Sequence, residues 1–404
     1  MFVIYDLIFL IFFLFCLPIY LFKGKFHQGF LMRFGKFVPP ENLDHPIWIH
    51  AVSVGEALSI KNIIKELKLL YPGKKFVIST VTPTGNKIAR SIAASDDFVI
   101  YLPLDFSFSV RSSLNKIKPS LFIIVETEIW PNLITCLHKK NVPVLVINGR
   151  ISDDSFKGYS LIKFFLKPIL DKVSMFCVQT QNDAERLMKL GAARERVQVT
   201  GNMKFDNAAI LKIDSADYRK KIALNTEEKL FVAASTHPGE EEIIIRAYKN
   251  LILDFKNLRL LIAPRHPQRA QEVALIIERL GLNGPKIHIL DTVGELLGFY
   301  SLADVVFVGG SLVKKGGHNI LEPISLLKPV MFGPYMHNFR SIADLFLKNN
   351  SAISVYNQKE IELAVKDLLN NPRKGISLAE AGKNLILQNQ GATRRNLELI
   401  KKYI

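Results

Sequence analysis

Short apolar runs alternate with amphipathic stretches of helical length along most of this chain. The runs are rich in Val, Ile and Phe, which is typical of parallel strands covered by helices. A first series of predicted strands begins at Trp48, Lys75, Phe98, Leu121, Pro143 and Met175. A second series begins at Leu230, Leu258, Lys286, Asp304 and Pro329. The pattern therefore predicts an α/β protein with two doubly wound, Rossmann-like sheets.

A polar stretch, residues 206–229, separates the two series and is the predicted hinge. We expect one domain over residues 31–205 and another over 206–404, with the last helix packing back on the first domain. Because ligands bind at the carboxyl ends of such strands, two domains side by side predict a ligand in the cleft between them. No repeat of 20 to 50 residues and no low-complexity tract occurs, which argues against a solenoid.

The first 22 residues are almost entirely apolar, and Asp6 is their only charged side chain. At ~1.5 Å per residue, such a helix matches a bilayer core of roughly 30 Å. Residues 1–30 are therefore a predicted membrane anchor with a basic flank. The basic residues that follow the apolar run are Lys23, Lys25, Arg33 and Lys36. They place the rest of the chain in the cytoplasm. Asp6 and Pro18 leave open a helix in the membrane interface, and a buried core helix is another alternative.

Composition and charge exclude several kinds of protein and of binding partner. At 404 residues with 49% hydrophobic and 22% charged residues, the chain is too apolar to be disordered. The 53 Lys and Arg against 37 Asp and Glu give a net charge of +16, which suits nucleic acid, an anionic membrane or an acidic substrate. Because no RNA-binding aromatic signature or Cys/His finger spacing accompanies the charge, we expect no nucleic acid partner. Cys16, Cys136 and Cys177 lack paired spacing, which supports neither a disulfide framework nor a zinc site.

A carboxylate follows the first predicted strand. Residues 50–57 run from that strand through a Ser/Gly turn into a helix, and Glu56 lies at the start of the helix. Such an acid is either a first-turn carboxylate favoured by the helix dipole or a general base. Its place at the carboxyl end of a strand, beside Gly55, favours the base because glycine lets a ligand approach.

Two more carboxylates, Glu126 and Glu128, directly follow the strand that begins at Leu121. They would point to the same side if the strand continued. We expect the chain to turn here, which leaves one carboxylate at the ligand site and the other as a solvated or helix-capping acid. The spacing does not decide which is which.

Cationic side chains occur at comparable places. Asn202 and Lys204 end the first domain, and Arg265 and His266 follow a strand of the second. A lysine can neutralise a phosphate, and a guanidinium can bind one bidentately. The alternatives are a solvated lysine and a surface arginine in a Pro-bounded turn.

A glycine-rich segment, residues 309–323, follows another strand of the second domain. Its two Gly pairs precede Asn319 and an apolar run, a pattern typical of an anion-binding helix N-terminus or of a plain turn. Asn319 and Glu322 share a helix face, which would allow Glu322 to bind a ribose diol while backbone amides hold phosphate. Neither GxGxxG nor GxxxxGK[ST] occurs, which argues against a nicotinamide, flavin or P-loop site.

Eight motifs occur in order along the chain: SVGE, TPTG, ETEIWPN, GNMKFD, STHPGEE, APRHP, FVGGSL and GGHNILEP. Together they resemble the 3-deoxy-D-manno-octulosonic acid (Kdo) transferases of lipid A biosynthesis, from Trp48 to the NQGA near Gln390. The resemblance implies a GT-B fold with a central cleft. It also implies transfer of Kdo from CMP-Kdo to a lipid A precursor, lipid IVA, at the cytoplasmic face of the bacterial inner membrane.

The resemblance also implies roles for individual residues. Glu56 corresponds to the family's proton acceptor, and Glu126 and Lys204 correspond to its transition-state stabilisers. The positions that correspond to contacts with the CMP moiety of the donor are Pro264, Arg265, Val293, Gly294, Glu295, Asn319, Ile320, Leu321 and Glu322.

No metal and no cofactor is expected, and CMP-Kdo is a substrate. CMP departs as a nucleoside monophosphate, already a good leaving group, and the sequence has no obvious DxD pair to hold a pyrophosphate through Mg²⁺. The net charge of +16 suits both anionic substrates and anionic inner-membrane lipids as partners. The alternative is another membrane-associated GT-B enzyme that uses a UDP-sugar and a lipid-linked acceptor.

Overall fold

The strands form two parallel sheets in the residues that the computed structural model describes, namely 2–22, 29–208, 215–282, 284 and 286–404. The first sheet contains β1 (Ile47–His50), β2 (Phe76–Thr80), β3 (Phe98–Tyr101), β4 (Leu121–Val125), β5 (Val144–Gly149), β6 (Met175–Val178) and β7 (Val197–Val199). The second contains β8 (Lys229–Thr236), β9 (Leu258–Pro264), β10 (Ile287–Ile289), β11 (Val305–Val308), β12 (Val330–Phe332) and β13 (Ile353–Ser354).

Both sheets have a doubly wound strand order. The orders are β3-β2-β1-β4-β5-β6-β7 and β10-β9-β8-β11-β12-β13. The order reverses between β1 and β4 in the first sheet and between β8 and β11 in the second, which are the points where such sheets bind ligands. The predicted α/β class with two parallel sheets is confirmed.

Helices connect the strands. They are α1 (Phe2–Phe22), α2 (Val54–Ser59), α3 (Lys61–Leu70), α4 (Pro83–Ile92), α5 (Ser107–Ile117), α6 (Pro131–Lys139), α7 (Asp153–Leu161), α8 (Lys163–Leu170), α9 (Gln181–Leu190), α10 (Lys204–Ala208), α11 (Ala216–Lys221), α12 (Glu240–Asp254), α13 (Ala270–Arg279), α14 (Leu296–Leu302), α15 (Leu321–Ser325), α16 (Arg340–Lys348), α17 (Gln358–Asn370), α18 (Pro372–Gln388) and α19 (Ala392–Ile400). Short 3₁₀ helices lie at Phe30–Phe34, Arg194–Arg196, Pro267–Arg269, His337–Phe339 and Lys401–Tyr403.

The chain divides into two compact units, each with one sheet. The first contains the residues up to Asn207 together with Gln390–Ile404, and the second contains Ala208–Asn389. The chain therefore leaves the first unit after α10 begins and returns to it with α19. The middle of the predicted hinge, residues 209–214, lies outside the described residues.

The central strand β4 shows why the strands of the first sheet are continuous apolar runs in the sequence. All of its residues are buried, and they alternate between the two faces. Leu121, Ile123 and Val125 pack in the core on one face, whereas Phe122 and Ile124 pack in the core on the other. Because helices cover both faces, neither face needs polar side chains.

The sequence pattern missed β7 and β13, which lie at the edges of the two sheets. They have three and two residues, which is too short for a period of two to be visible. The other strands begin within one or two residues of their predicted positions.

The predicted membrane anchor is not supported. Within the described parts of the chain, none of the helices has the length and apolarity that crossing a membrane requires. Lys23 and Lys25 of the predicted basic flank lie outside the described residues.

Helix α1 packs on the first unit along one side. Asp6 Oδ1 accepts hydrogen bonds from the backbone N–H of Ser107, 3.0 Å away at the start of α5, and from Asn132 Nδ2 at 2.7 Å. The Phe9 ring packs edge-on against Phe106, with centroids 4.9 Å apart. The carboxylate that is unfavourable in a spanning helix thus has polar partners in the first unit.

The last helix, α19, is fixed to the first unit by Asp206. This carboxylate accepts hydrogen bonds from the backbone N–H groups of Gly391 at 2.6 Å and Thr393 at 2.5 Å, at the helix N-terminus. Arg395 Nε donates to Thr200 O at 2.6 Å. Residues of GNMKFD and NQGA, far apart in sequence, therefore form one structural unit.

Replacing Asp206 by Ala should destabilise the first unit, because two backbone N–H groups at the start of α19 lose their acceptor. The loss of a capping carboxylate costs about 1–2 kcal/mol. Urea denaturation should show a lower midpoint for Asp206→Ala than for the matched variant Asp44→Ala, whose side chain is exposed. Equal midpoints for the two variants would contradict this capping role.

Candidate functional site

Glu56 lies in the first turn of α2, just beyond the carboxyl end of β1. Its Oε2 accepts a hydrogen bond from the backbone N–H of Val52 at 2.7 Å, and its Oε1 accepts one from the hydroxyl of Ser53 at 2.8 Å. Ser53 in turn caps the helix by accepting from the Glu56 N–H at 3.4 Å. The sequence Ser-Val-Gly-Glu thus fixes the carboxylate at the edge of the sheet.

The Glu56 carboxyl group has a raised pKa, close to neutral pH. Burial raises the pKa of Glu56 to about 7, the negative charge of Glu126 adds to the rise, and the bonds from Val52 and Ser53 oppose it. A plain capping acid would have an ordinary pKa and stay ionised. A carboxylate with a pKa near the working pH can both accept and release a proton, as a general base must.

The chain turns sharply at Glu126, directly after β4. Glu126 has φ +61°, in the left-handed region, while its N–H still donates to Ile147 O of β5 at 2.9 Å. Such a backbone conformation is uncommon for a residue other than glycine, and the surrounding structure must hold it in place. The predicted turn is present, and it sends Glu126 and Glu128 to different partners.

Glu126 is paired with two cations. Its Oε2 lies 3.2 Å from Arg150 Nε, and its Oε1 lies 3.5 Å from Lys204 Nζ. The carboxylate is mostly buried, and Lys204 is half-buried. Two of the predicted site residues are therefore in contact, and the pKa of Glu56 responds to the charge of the pair's carboxylate.

Arg150 was not recognised from the sequence. It follows β5 directly, at the same carboxyl edge that holds Glu56 and Glu126. The available signal was a cationic side chain immediately after an apolar strand, the criterion that singled out Arg265.

Glu128 contacts a buried histidine. His50 Nε2 lies 3.1 Å from Glu128 Oε2, and the other ring nitrogen lies 2.9 Å from Ser79 Oγ. Trp130 Nε1 also donates to Glu128 Oε2, at 2.9 Å. Glu128 is thus held by neighbouring side chains and is neither the solvated acid nor the helix cap that the sequence suggested.

A buried amide network holds the residues that precede Lys204, the first residue of α10. Asn202 Nδ2 donates to Gln179 Oε1 at 2.9 Å, and Gln179 Nε2 donates to Asn148 O at 3.0 Å. The backbone N–H of Met203 donates to Asn148 Oδ1 at 3.0 Å. The three amide side chains therefore fix the backbone on either side of Met203 and position Lys204 next to Glu126.

The second unit places the remaining predicted residues along one edge of its sheet. Pro264 ends β9, the segment that contains Val293, Gly294 and Glu295 follows β10, and the glycine-rich segment follows β11. Arg265 is exposed, and its backbone N–H donates to Thr236 O at 2.9 Å. The carboxyl ends of these strands thus bring separated segments to the edge where such sheets bind ligands.

The residues from Asn319 to Glu322 lie at the start of α15. Asn319 Nδ2 donates to Glu322 Oε1 at 3.0 Å, and Asn319 Oδ1 accepts from the backbone N–H of Leu321 at 3.1 Å. Burial raises the pKa of Glu322, and the Asn319 bond opposes the rise. The predicted shared face of Asn319 and Glu322 is present as a direct contact.

Glu295 and its neighbours form an open turn before α14. Val293 is 86% exposed, and Gly294 has φ +95°. Glu295 is paired with Lys221 and accepts a hydrogen bond from the hydroxyl of Thr292. These contacts lower the pKa of Glu295.

The glycine-rich segment does not present its first amides to a ligand. The backbone N–H groups of Gly310, Ser311 and Leu312 donate to the carboxylate of Glu240, at 2.7 to 2.9 Å. Glu240 is fully buried, and its carboxylate also accepts from the His237 N–H at 2.9 Å. The first Gly pair therefore belongs to a turn that a carboxylate of the protein holds, whereas the predicted anion-binding helix N-terminus would lie further along the segment, at the start of α15.

Comparisons with known proteins identify the family and the fold. Residues 28–207 match the family model described as 3-deoxy-D-manno-octulosonic-acid transferase (kdotransferase), and residues 168–311 match that of UDP-N-acetylglucosamine 2-epimerase. The chain is 34% identical over 402 residues to a 3-deoxy-D-manno-octulosonic acid transferase of Haemophilus influenzae, with 94% of this chain and 92% of the relative covered. It is 38% identical over 342 residues to a bifunctional glycosyltransferase/methyltransferase of Fusobacterium nucleatum, with 80% of this chain and 52% of that protein covered.

A solved structure supports the fold. The crystal structure of a putative UDP-N-acetylglucosamine 2-epimerase from Listeria monocytogenes has a TM-score of 0.65 at 12% identity, and the match covers 89% of this chain and 96% of that one. At this identity the likeness shows the fold alone. The Haemophilus relative shows the family, since the identity extends over nearly the whole length of both chains. With its two-domain, GT-B-like α/β fold, the chain belongs to the 3-deoxy-D-manno-octulosonic acid transferase family and is a glycosyltransferase.

Proposed function

We propose that this protein transfers Kdo from CMP-Kdo to a lipid A precursor, lipid IVA, in lipopolysaccharide biosynthesis. The observation that carries the proposal is the Glu56 carboxylate, with a pKa of about 7, close enough to the Glu126–Lys204 pair to be affected by its charge. Membership of the Kdo transferase family supplies the donor sugar. The reaction is a single inverting displacement without a metal, because the departing CMP is already a good leaving group.

Glu56 acts as the general base in this mechanism. Its carboxylate removes the proton from the acceptor's primary hydroxyl, whose oxygen attacks the anomeric carbon of Kdo as the bond to the CMP phosphate breaks. General-base assistance of this kind is worth about 10²–10⁴ in rate.

Glu126 and Lys204 stabilise charge in the transition state. The anomeric carbon gains oxocarbenium character, which the Glu126 carboxylate stabilises. Lys204 offsets negative charge on the phosphate or on the carboxylate of Kdo. The contact between the two side chains holds each next to the other.

The second unit binds the donor nucleotide in this proposal. Arg265 is an exposed guanidinium suited to phosphate, and Glu322 with Asn319 is suited to the ribose hydroxyls. We place the enzyme at the cytoplasmic face of the bacterial inner membrane, where its acceptor is a lipid. The net charge of +16 favours encounters with anionic substrates and anionic lipids.

The pH dependence of the rate tests the role of Glu56. Because only the ionised carboxylate accepts a proton, kcat/KM should rise with pH, by about tenfold per unit well below 7, and flatten above about 7. In Glu126→Gln the curve should shift to lower pH and its plateau should fall, since a charge that raises the pKa of Glu56 is removed. A curve that stays in place in Glu126→Gln would contradict the coupling of the two carboxylates.

A UDP-sugar is the second candidate donor. It is favoured by the match of residues 168–311 to the UDP-N-acetylglucosamine 2-epimerase family model. Calorimetric titration of the protein with CMP and with UDP separates the two. We expect CMP to bind at least tenfold more tightly, and tighter binding of UDP would overturn the proposed donor.

A further inference from the structure

Two histidines form a hydrogen-bonded pair at the carboxyl edge of the second sheet. His237 follows β8 directly, and His318 precedes α15. Their Nε2 atoms are 2.9 Å apart, and the rings are nearly parallel, with an interplanar angle of 4° and centroids 5.1 Å apart. The fold thus brings together two side chains that lie 81 residues apart.

Hydrogen bonds hold the backbone segments that carry the two histidines. The buried Glu240 carboxylate binds the His237 N–H and the Gly310 N–H at once, and the Gly317 N–H donates to Gly310 O at 2.8 Å. A Cβ atom on Gly310 would lie 3.1 Å from the His318 Nε2, so glycine leaves room for the rings. Glu240 therefore holds together the two segments that carry the histidines.

The charged groups that face the pair are cationic. His237 faces Arg265, Arg269, Lys315 and the His266 ring, and His318 faces Arg265 and His266. Glu240 accepts four backbone hydrogen bonds, and Glu241 is paired with Arg269. Burial, with these cations, lowers the pKa of His237 and that of His318 to about 4. Both rings are therefore neutral at neutral pH.

The hydrogen bond between the two neutral rings determines which of their nitrogens carry protons. Two imidazole nitrogens at hydrogen-bond distance require that one carries a proton and the other presents a lone pair. The ring that accepts at Nε2 has its own proton on Nδ1, so that one N–H remains for an anion. The other ring carries its proton on Nε2, so its Nδ1 has a lone pair that can take up one more proton.

We propose that the His237–His318 pair binds the phosphate group of the sugar-nucleotide donor and takes up one proton as it does so. An anion beside the rings offsets the surrounding cations and favours the charged form of the pair. The resulting positive charge faces a phosphate that becomes more negative as CMP departs, which favours bond breakage. The inference rests on the proposed function and adds two residues to the donor site, neither of which the motif resemblance had assigned.

The test is calorimetric titration of the whole protein with the methyl ester of CMP, whose phosphodiester carries one negative charge and does not titrate between pH 5 and 8. Titrations at pH 6 in two buffers of different ionisation enthalpy give the number of protons exchanged. For wild type we expect uptake of up to one proton and an affinity that rises, by at most tenfold per unit, as the pH falls from 8 to 5.

The double variant His237→Gln/His318→Gln should bind the ester with no proton uptake and with little change in affinity over the same range. The two Gln side chains can still hydrogen-bond to each other, but neither can be charged. The matched control is His138→Gln, an exposed histidine of the first unit, which should behave as wild type. Cytidine and free Kdo should show no proton uptake with any variant.

Three outcomes decide between the ideas. Equal proton uptake by wild type and the double variant, or none by either, overturns the histidine proposal and leaves CMP-Kdo as the donor. Uptake with Kdo but not with the ester overturns the assignment to phosphate. Failure of wild type to bind the ester, with tight binding of UDP, overturns the proposed function itself.

Discussion

Glu56→Gln should abolish Kdo transfer while the protein still binds CMP. The amide has the shape of the carboxylate but cannot accept the proton of the acceptor hydroxyl. We expect kcat to fall by about 10²–10⁴. The affinity for CMP, measured by calorimetry, should change less than threefold, because the predicted nucleotide contacts lie in the other compact unit.

The matched control for this variant is Glu66→Gln, an exposed glutamate of α3. It should turn over at the wild-type rate. Glu56→Gln with a rate near that of wild type would show that the carboxylate only caps α2, as its bonds to Val52 and Ser53 also allow.

Lys204→Ala should have the second largest effect. Lys204 lies 3.5 Å from the Glu126 carboxylate, and its removal takes away a positive charge from the position where we expect negative charge to be stabilised. The loss of one such group lowers kcat by about 10²–10³. The rate should be measured at saturating CMP-Kdo, so that weaker binding is not mistaken for slower chemistry.

Two further variants separate charge from position. Lys204→Arg restores the charge, and we expect it to recover part of the activity. Lys189→Ala, an exposed lysine of α9, is the matched control and should be fully active. Full activity of Lys204→Ala would place Lys204 among surface lysines, the alternative that the sequence left open.

The hydrophobic pattern was sufficient to predict the two sheets, because parallel strands buried on both faces are visible in the sequence as unbroken apolar runs. The edge strands β7 and β13 were not predicted, because a strand of two or three residues is too short to show a period. The predicted N-terminal membrane anchor is not supported by the described part of the chain. Hydropathy registers Asp6 as an unfavourable charge, whereas the structure gives it hydrogen-bond donors from α5 and α6, which no local pattern reveals.

The candidate site was only partly predictable. Position after a strand identified Glu56 and the pair of glutamates, but not that Glu126 would turn toward Lys204 while Glu128 turns toward His50. That choice depends on the left-handed φ of Glu126 and on side chains of other strands. The sequence left the glycine-rich segment as either an anion-binding helix N-terminus or a plain turn, and it could not show that its first amides bind the Glu240 carboxylate, 70 residues earlier in the chain.

The contacts of Asp6 and Glu240 share one physical cause. A buried backbone N–H needs an acceptor, and both a phosphate and a carboxylate of the protein can supply one. Sequence shows that the amides are there, but only the fold shows which acceptor reaches them.

The most direct test of the proposed reaction is the mass of its product. The purified chain is incubated with CMP-Kdo and lipid IVA, and the lipid product is analysed by mass spectrometry. We predict a product heavier than lipid IVA by one or more whole Kdo units, formed with release of CMP and also formed in the presence of EDTA. An unchanged lipid mass with CMP-Kdo, together with sugar transfer from a UDP-sugar, would contradict the proposal.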